Sequence, residues 1–491
     1  MRENKLPSNE DNNTGTQQDR DSVALKVGPN SMENLENIGA SFIVNWDGSD
    51  DVANPLNWPP FKRWAHIIMV AILGLITNMA PTMCAPGINE IIIDFDITSK
   101  TISTLAITLY ILGIALGPMV LSPLSEVYGR LPVYHAANLA FVAFVIGNAL
   151  STNVAQFIVF RFLSGCAGGV PMALGGGSIA DLTPSTNRGM AMTLFSLGPL
   201  TGPVLGPLVG GFIVADKGWR WTFWVLGMVG GVAGLVALPI LRETHPKILL
   251  EHKAARLRAE TQNPHLRSEL ALSRTTNRVL IEALVRPAML LIRSPILLVL
   301  SVYVGLIFGI MYLLLTTFTG VFEEQYGFTI ATSGLVYLGL GVAMIVAVPI
   351  FNSLNTHLMV RTKAQGLPGP RPEERLLHMI WFSPSVVVGL FIYGWSVEYH
   401  IHWIVPIIGT VFIGYGAFFV LMPAQLYLVN LFGSEGAASA LSANLLLRYI
   451  SVLGYGWGNS LLGFLALLFL PFPILFYKFG ERLRVKTTIA I

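Results

Sequence analysis

Stretches of about twenty apolar residues return along this chain, and nothing else limits its folding options as strongly. Twelve are read, at 66–86, 102–123, 132–150, 155–180, 189–214, 221–241, 295–318, 331–352, 379–397, 403–422, 436–453 and 457–477. A run of that length crosses the roughly 30 Å hydrocarbon layer as a helix. Lipid demands that every backbone polar group be bonded internally, which leaves only helices or closed barrels. Only 12% of residues are charged, against 53% hydrophobic, about half the charged share of a soluble domain. The expected fold class is an all-α polytopic membrane protein, integral rather than peripheral.

Charge placement gives the expected orientation. Of 31 Lys and Arg, 26 fall on one side of the twelve spans, and only Lys100, Lys217 and Arg220 on the other. By the positive-inside rule both termini and the long central loop face the cytoplasm. No basic patch suggests a nucleic-acid partner. The expected organisation is a disordered tail over 1–65, six helices over 66–241, a cytoplasmic loop over 242–293, six helices over 294–478 and a tail over 479–491. In the loop, Leu and Ala at helical spacing around 248–258 fit either an amphipathic surface helix or a solvated tether. Two six-helix halves so joined fit a transporter with a midplane site. Cys84 and Cys166 both fall within spans and read as small packing residues rather than a disulfide.

The fifth span carries "GPLTGPVLGPLVGG" (198–211). Gly198, Gly202, Gly206 and Gly210 form a stripe down one helical face, since four residues advance 400°. Such small-residue stripes let two backbones approach closely in lipid. Pro199, Pro203 and Pro207 each remove a backbone donor, so neighbouring helices must cover this one. A plain packing face is the simpler reading; three consecutive repeats favour a helix built for close contact and bending.

Two further sites stand out. Arg161 lies about 9 Å from the outer end of its helix, within snorkelling reach of the headgroups, yet an intramembrane charge facing a cavity is the default functional reading. Glu126 and Arg130 are four apart, a spacing that suits an ion pair if the helix continues through Gly129. No Asp or Glu falls in the middle of any span, so no proton carrier can be named. No nucleotide-binding P-loop and no convergent catalytic or metal-ligating set is present, so neither an enzyme nor a metal site is expected.

The Gly/Pro stretch resembles the fifth-helix antiporter motif of major facilitator superfamily proton-coupled exporters. "NPLNWPPFKRW" (54–64) after "WDGSDD" (46–51) is similar to the pre-helix signature of fungal twelve-span drug:proton antiporters. "MCAPGINEI", "SPLSEVYGRLPVY", "FIVFRFLSGCAGG", "GWRWTFW", "RETHPKILLEHKAARLR" and "RPEERL" resemble other motifs of that group. The resemblance spans residues 41–486. It implies two six-helix bundles related by a pseudo-two-fold axis. It also implies export of lipophilic drugs, toxins or secondary metabolites by proton antiport through alternating access. The proton gradient supplies the energy without a cofactor, and a monomer in the plasma membrane is expected. Arg161 matches the arginine linked to proton coupling. Glu126, Gly129 and Arg130 match a latch that holds one face closed, with Ser122 and Leu131 departing from the superfamily's common Gly and basic residue.

The substrate cavity is expected to use Asn78, Met83, Tyr110, Tyr303, Tyr312, Tyr337, Tyr415, Gln425 and Asn444, although each taken alone also reads as a packing residue. An importer of the same superfamily is the rival, but "LRETHP" replaces the acidic-Ser-Pro-Arg run of sugar porters after the sixth span. The final helix pair is short: 437–477 leaves no residues for a turn between two spans. Either the pair is truncated around a wide outer vestibule, or the sequence reflects a mis-spliced gene.

Overall fold

The computed structural model describes residues 43–184, 187–270, 295–366, 371–446 and 455–486. The expectations for 1–42, 271–294, 487–491 and Arg448 lie outside the described residues, as does the side chain of Asn444.

Among the described residues the chain is all-α apart from one strand pair, two residues in each strand. The helices are α1 (Pro60–Asp94), α2 (Lys100–Tyr128), α3 (Arg130–Ala149), α4 (Val154–Leu182), α5 (Arg188–Lys217), α6 (Trp219–Ile240) and α7 (Pro246–Thr261). There follow α8 (Pro295–Tyr326), α9 (Ile330–Ala364), α10 (Glu373–Glu398), α11 (Ile404–Leu446), α12 (Tyr455–Phe469) and α13 (Pro471–Lys486). Among the described residues ten helices are long and apolar enough to cross a membrane, against the twelve expected.

The difference lies near the C-terminus. The expected tenth span and the described part of the eleventh (436–446) lie in one uninterrupted helix of 43 residues, about 65 Å long and twice the hydrocarbon layer. No Pro follows Pro423 in it, and Ala437, Ala438, Ala440 and Ala443 are strong helix formers, so the expected loop is absent. The twelfth span, expected over 457–477, is divided at Leu470, because Pro471 cannot continue the preceding helix. α13 then runs eight residues into the tail expected from 479.

The tail expected to be disordered to residue 65 is ordered from Ile43. Asp51 accepts the backbone N–H groups of Asp47 (2.9 Å) and Ala53 (2.8 Å), and Asn57 donates to the Ser49 and Asp51 carbonyls. Asn54 caps the short turn Pro55–Asn57, and Lys62 sits 3.7 Å over the buried Trp58 ring. The polar composition that reads as disorder is a set of local caps. Residues 43–45 group with 251–270 as a small unit: Ile43–Val44 pairs in parallel with Arg267–Ser268, and Lys253 donates to the Asn45 carbonyl. The central loop does form a helix, α7.

Spanning helices put small residues inward and branched ones outward, the reverse of a soluble helix. In α6, Gly227, Gly230 and Ala237 are buried, whereas Met228, Val232, Leu235 and Leu238 are exposed. Gly227 rests on Ile146 and Gly230 on Val142 of α3, and Gly234 leaves room there for the Asn138 amide.

Candidate functional site: a buried arginine on a broken helix end

The glycine stripe of α5 lies against α1. A Cβ at Gly198 would fall on the Ala71 carbonyl oxygen, and one at Gly210 on the Met83 carbonyl oxygen. At Gly202 it would meet Asn78 Cβ and the Leu75 oxygen, both at 2.9 Å. At Gly206 it would meet the Thr82 hydroxyl and, at 2.8 Å, the Met79 oxygen. The close approach read from the stripe is present along its whole length, and its partner is the first helix. Despite Pro199, Pro203 and Pro207, α5 is continuous over 30 residues; Pro199 packs on Gly74. A second close contact, unread in the sequence, joins α2 to α4, where Gly113 and Gly117 face Gly165 and Cys166.

Proline also breaks α1. Pro81 has no N–H to give to the Thr77 carbonyl, and the Tyr110 hydroxyl donates to that oxygen instead, at 2.6 Å. Two residues further on the helix yields to the turn Ala85–Gly87, so the last carbonyls lack helical donors. Arg161 supplies them. Its Nη1 donates to Ala80 O at 2.9 Å, and its Nη2 reaches Pro81 O at 3.5 Å and Cys84 Sγ at 2.5 Å. A cation at a helix C-terminus is also favoured by the helix dipole. The rings of Tyr110, Phe223 and Phe157 lie 5.3, 5.3 and 5.8 Å from its guanidinium carbon. Phe157 and Phe223 meet edge to face with Trp219. Arg161 is 1% exposed, so it does not snorkel; it joins α4 to the broken end of α1. Phe157, one turn before Arg161, and Phe223 belong to quoted motifs but were not singled out.

The expected Glu126–Arg130 geometry is replaced. α2 ends at Tyr128, Gly129 takes φ +98°, and α3 begins at Arg130, so helical i,i+4 spacing no longer applies across the junction. Arg130 Nε instead pairs with Asp181 at 2.8 Å, both side chains buried. Glu243, from the "RETHP" stretch, accepts the backbone N–H groups of Arg130 and Leu131 (3.0 Å each) and of His245 (2.8 Å). A Cβ at Gly129 would strike that carboxylate, so glycine there serves both the positive φ and the close approach. Burial, with Arg130 and Lys247 adding to it, pushes His245 down to about 3, so it is neutral beside this cluster. At the other end Gly218 (φ +84°) precedes α6, Glu90 accepts the Trp219 N–H at 3.0 Å, and Arg220 pairs with Asp94. Asp181→Asn leaves Arg130 buried against a neutral amide. Breaking a buried pair on one side costs about 3–5 kcal/mol, so the variant is expected to melt at a clearly lower temperature in detergent.

Most of the expected cavity residues are closed into helix contacts. Asn78 donates to Gly74 O at 2.8 Å and lies under Gly202. Met83 is buried against Gly206 and Gly210. Tyr337 donates to Leu315 O (2.7 Å) and bonds Thr319, and Tyr303 stacks on Phe469 at 5.6 Å. Half-buried Tyr415 packs between Phe382 and Phe419. Tyr312 is buried, and Gln425 accepts from Ser196 at 2.9 Å, tying α11 to α5. α5 also meets α9 at three levels: Gly211 with Ile330, Val204 with Gly341, and Gly189 with Asn355. Among the described residues no group of three or more His, Cys, Asp or Glu could hold a metal, and both cysteines are free.

Comparison with known proteins places this architecture. The family model described as Major Facilitator Superfamily matches residues 68–456. "MFS transporter prlG" of a fungal species (strain NRRL 50135) is 50% identical over 457 residues, covering 90% of this chain and 96% of its own. "Efflux pump radE" of Floropilus chiversii is 45% identical over 456 residues, covering 90% and 85%. "Trichosetin biosynthesis cluster MFS transporter" of Gibberella fujikuroi is 45% identical over 455 residues, covering 90% and 88%. Among solved structures, the proton:xylose symporter XylE bound to 6-bromo-6-deoxy-D-glucose superposes with TM-score 0.64 at 15% identity, covering 85% of this chain and 96% of that one; this likeness concerns the fold. With ten membrane-length helices among the described residues, a family model over most of the chain and relatives aligned over nine-tenths of its length, the chain belongs to the Major Facilitator Superfamily of membrane transporters.

Proposed function

We propose that this transporter exports lipophilic small molecules of the secondary-metabolite or drug type by proton antiport, through alternating access between its two halves. The carrying observation is the α1–α5 seam, a glycine stripe on bare backbone that ends where buried Arg161 holds the broken end of α1. Helices in such contact can shift against each other without side chains having to interdigitate. Arg161 cannot release its own proton at physiological pH; it acts by fixing the α1 end and setting the field felt by whatever group carries the proton. Relatives named as an efflux pump and as a biosynthesis-cluster transporter support the export direction. In this reading the protein is a monomer of the plasma membrane with both termini in the cytoplasm. The ends bearing Arg130, Asp181 and Glu243 form the cytoplasmic latch, and the proton gradient is the only energy source.

Cells producing the protein are expected to accumulate less of a fluorescent lipophilic compound than control cells, and a protonophore should erase the difference. Export that persists with protonophore and stops on ATP depletion would overturn the reading.

A further inference from the structure

The contact between α5 and α9 borders a cavity at its Gly189 end. A Cβ at Gly189 would fall 2.5 Å from the Asn355 amide nitrogen, so α9 touches bare α5 backbone there. Beside that contact the two helices leave a space of about 340 Å³, in the size range of small-molecule sites. α5 contributes its first turn, with Asn187 and Met190, and α9 contributes its last turns. In α9 the lining residues Asn352, Asn355, Thr356, Met359 and Lys363 recur at helical spacing, which places them on one face.

Polar groups of this wall are unused. Asn355 is 8% exposed, and its Oδ1 is buried with no hydrogen-bond partner. Asn187, at the N-terminus of α5, makes no capping bond with its side chain. An amide carries both donor and acceptor atoms, and a turn about its terminal torsion exchanges them. Three amides and the Thr356 hydroxyl therefore suit a ligand rich in hydroxyls, which also donate and accept. Lys363 is exposed, so its charge needs no buried partner, and one ammonium suits one phosphate. No carboxylate lines the cavity. Met190 and Val360, 62% and 60% exposed, add apolar surface to the same wall. α9 runs for 35 residues, about 50 Å against roughly 30 Å of hydrocarbon, so its polar end reaches the headgroup layer.

We propose that this cavity binds a polyol phosphate, with Lys363 on the phosphate and Asn187, Asn352 and Asn355 on the hydroxyls. The source is either an inositol phospholipid, its acyl chains along Met190 and Val360, or a soluble polyol phosphate. Bound there, the ligand ties the start of α5 to the end of α9. The site stands on the cavity and its wall and does not depend on the direction or coupling of transport.

The test titrates the full chain in uncharged detergent with phosphatidylinositol, phosphatidic acid, phosphatidylcholine or soluble inositol 1-phosphate, and reads the unfolding temperature. Phosphatidylinositol should raise it by a few degrees over phosphatidylcholine, and phosphatidic acid, which lacks the polyol, should raise it less. Lys363→Gln should weaken the apparent affinity for the stabilising ligand at least about tenfold, the scale of one lost charge-assisted contact. Asn355→Leu should weaken it severalfold; should that variant not fold, exposed Lys363 still provides the comparison. Arg361→Gln, in the last turn of α9 but outside the cavity lining, should bind as the parent does. A rise with inositol 1-phosphate identifies a soluble ligand, and a rise with phosphatidylinositol alone identifies a lipid; both support the site. The proposal is overturned if neither compound stabilises the parent, or if phosphatidic acid matches phosphatidylinositol. It is equally overturned if Lys363→Gln binds unchanged or Arg361→Gln weakens binding as much.

Discussion

Gly206→Leu is expected to abolish transport and to leave little folded protein, and Gly206→Ala to be nearly as damaging. The stripe read from sequence alone suggests that alanine is the milder change, because a methyl group is small. The structure reverses that expectation. The first carbon added at Gly206 already meets the Thr82 hydroxyl, the Met79 carbonyl oxygen at 2.8 Å and the Met83 nitrogen at 3.1 Å. The last two are backbone atoms, so relief requires moving α1 itself. Overpacking a core normally costs about 1–3 kcal/mol, and a clash against a helix backbone belongs at or above the top of that range. Gly231, which has nothing within 4 Å, is the control: Gly231→Leu should fold and transport like the parent. Monodispersity on size-exclusion chromatography and whole-cell export check all three. Parent-like behaviour of Gly206→Ala would contradict a seam this tight.

Arg161→Ala should reduce export to background while leaving folded protein at the cell surface. The substitution uncovers the Ala80 and Pro81 carbonyls and empties the space among Tyr110, Phe157 and Phe223. A bond from a charged donor to a buried acceptor is worth about 1.5–3 kcal/mol, and those to the two carbonyls are lost together with the contact to Cys84 Sγ. The α1–α5 seam, built from other residues, remains to hold the fold. Arg161→Lys keeps the charge but cannot reach both carbonyls with one ammonium in the geometry of a planar fork, so it too should fail in export. Surface labelling combined with compound accumulation separates lost transport from lost protein, and near-normal export in the alanine variant would remove Arg161 from the mechanism.

The spans were legible because their length and apolarity are properties of contiguous sequence. So was the closeness of the glycine stripe, since it follows from one helix's own periodicity. Its neighbour was not, because nothing in residues 198–211 names α1. Arg161 reads from sequence as facing a cavity or snorkelling, whereas it is packed against the α1 end, because its partners were created 80 residues earlier by Pro81 and the turn at Ala85–Gly87. Glu126 and Arg130 misled because spacing implies facing only while a helix continues, and Gly129 at φ +98° ends it. The partners that took over, Asp181 and Glu243, come from distant segments whose approach no local pattern records. Tyr110, Tyr303 and Tyr337 read from sequence as cavity or packing residues, and in this structure each is buried in contact with a neighbouring helix. At the C-terminus, hydropathy windows saw two spans where alanines after Pro423 sustain one helix, and one span where Pro471 makes two.

Proton antiport is tested most directly with the purified protein in liposomes and a neutral, non-titrating lipophilic fluorophore. With an acidic lumen, a neutral medium and no nucleotide, protons leaving the vesicle should drive the fluorophore inward, and a protonophore should collapse the accumulation. Reversing the gradient should abolish uptake. Uptake that appears only when the medium is the acidic side would indicate symport, and uptake indifferent to either gradient would contradict proton coupling altogether.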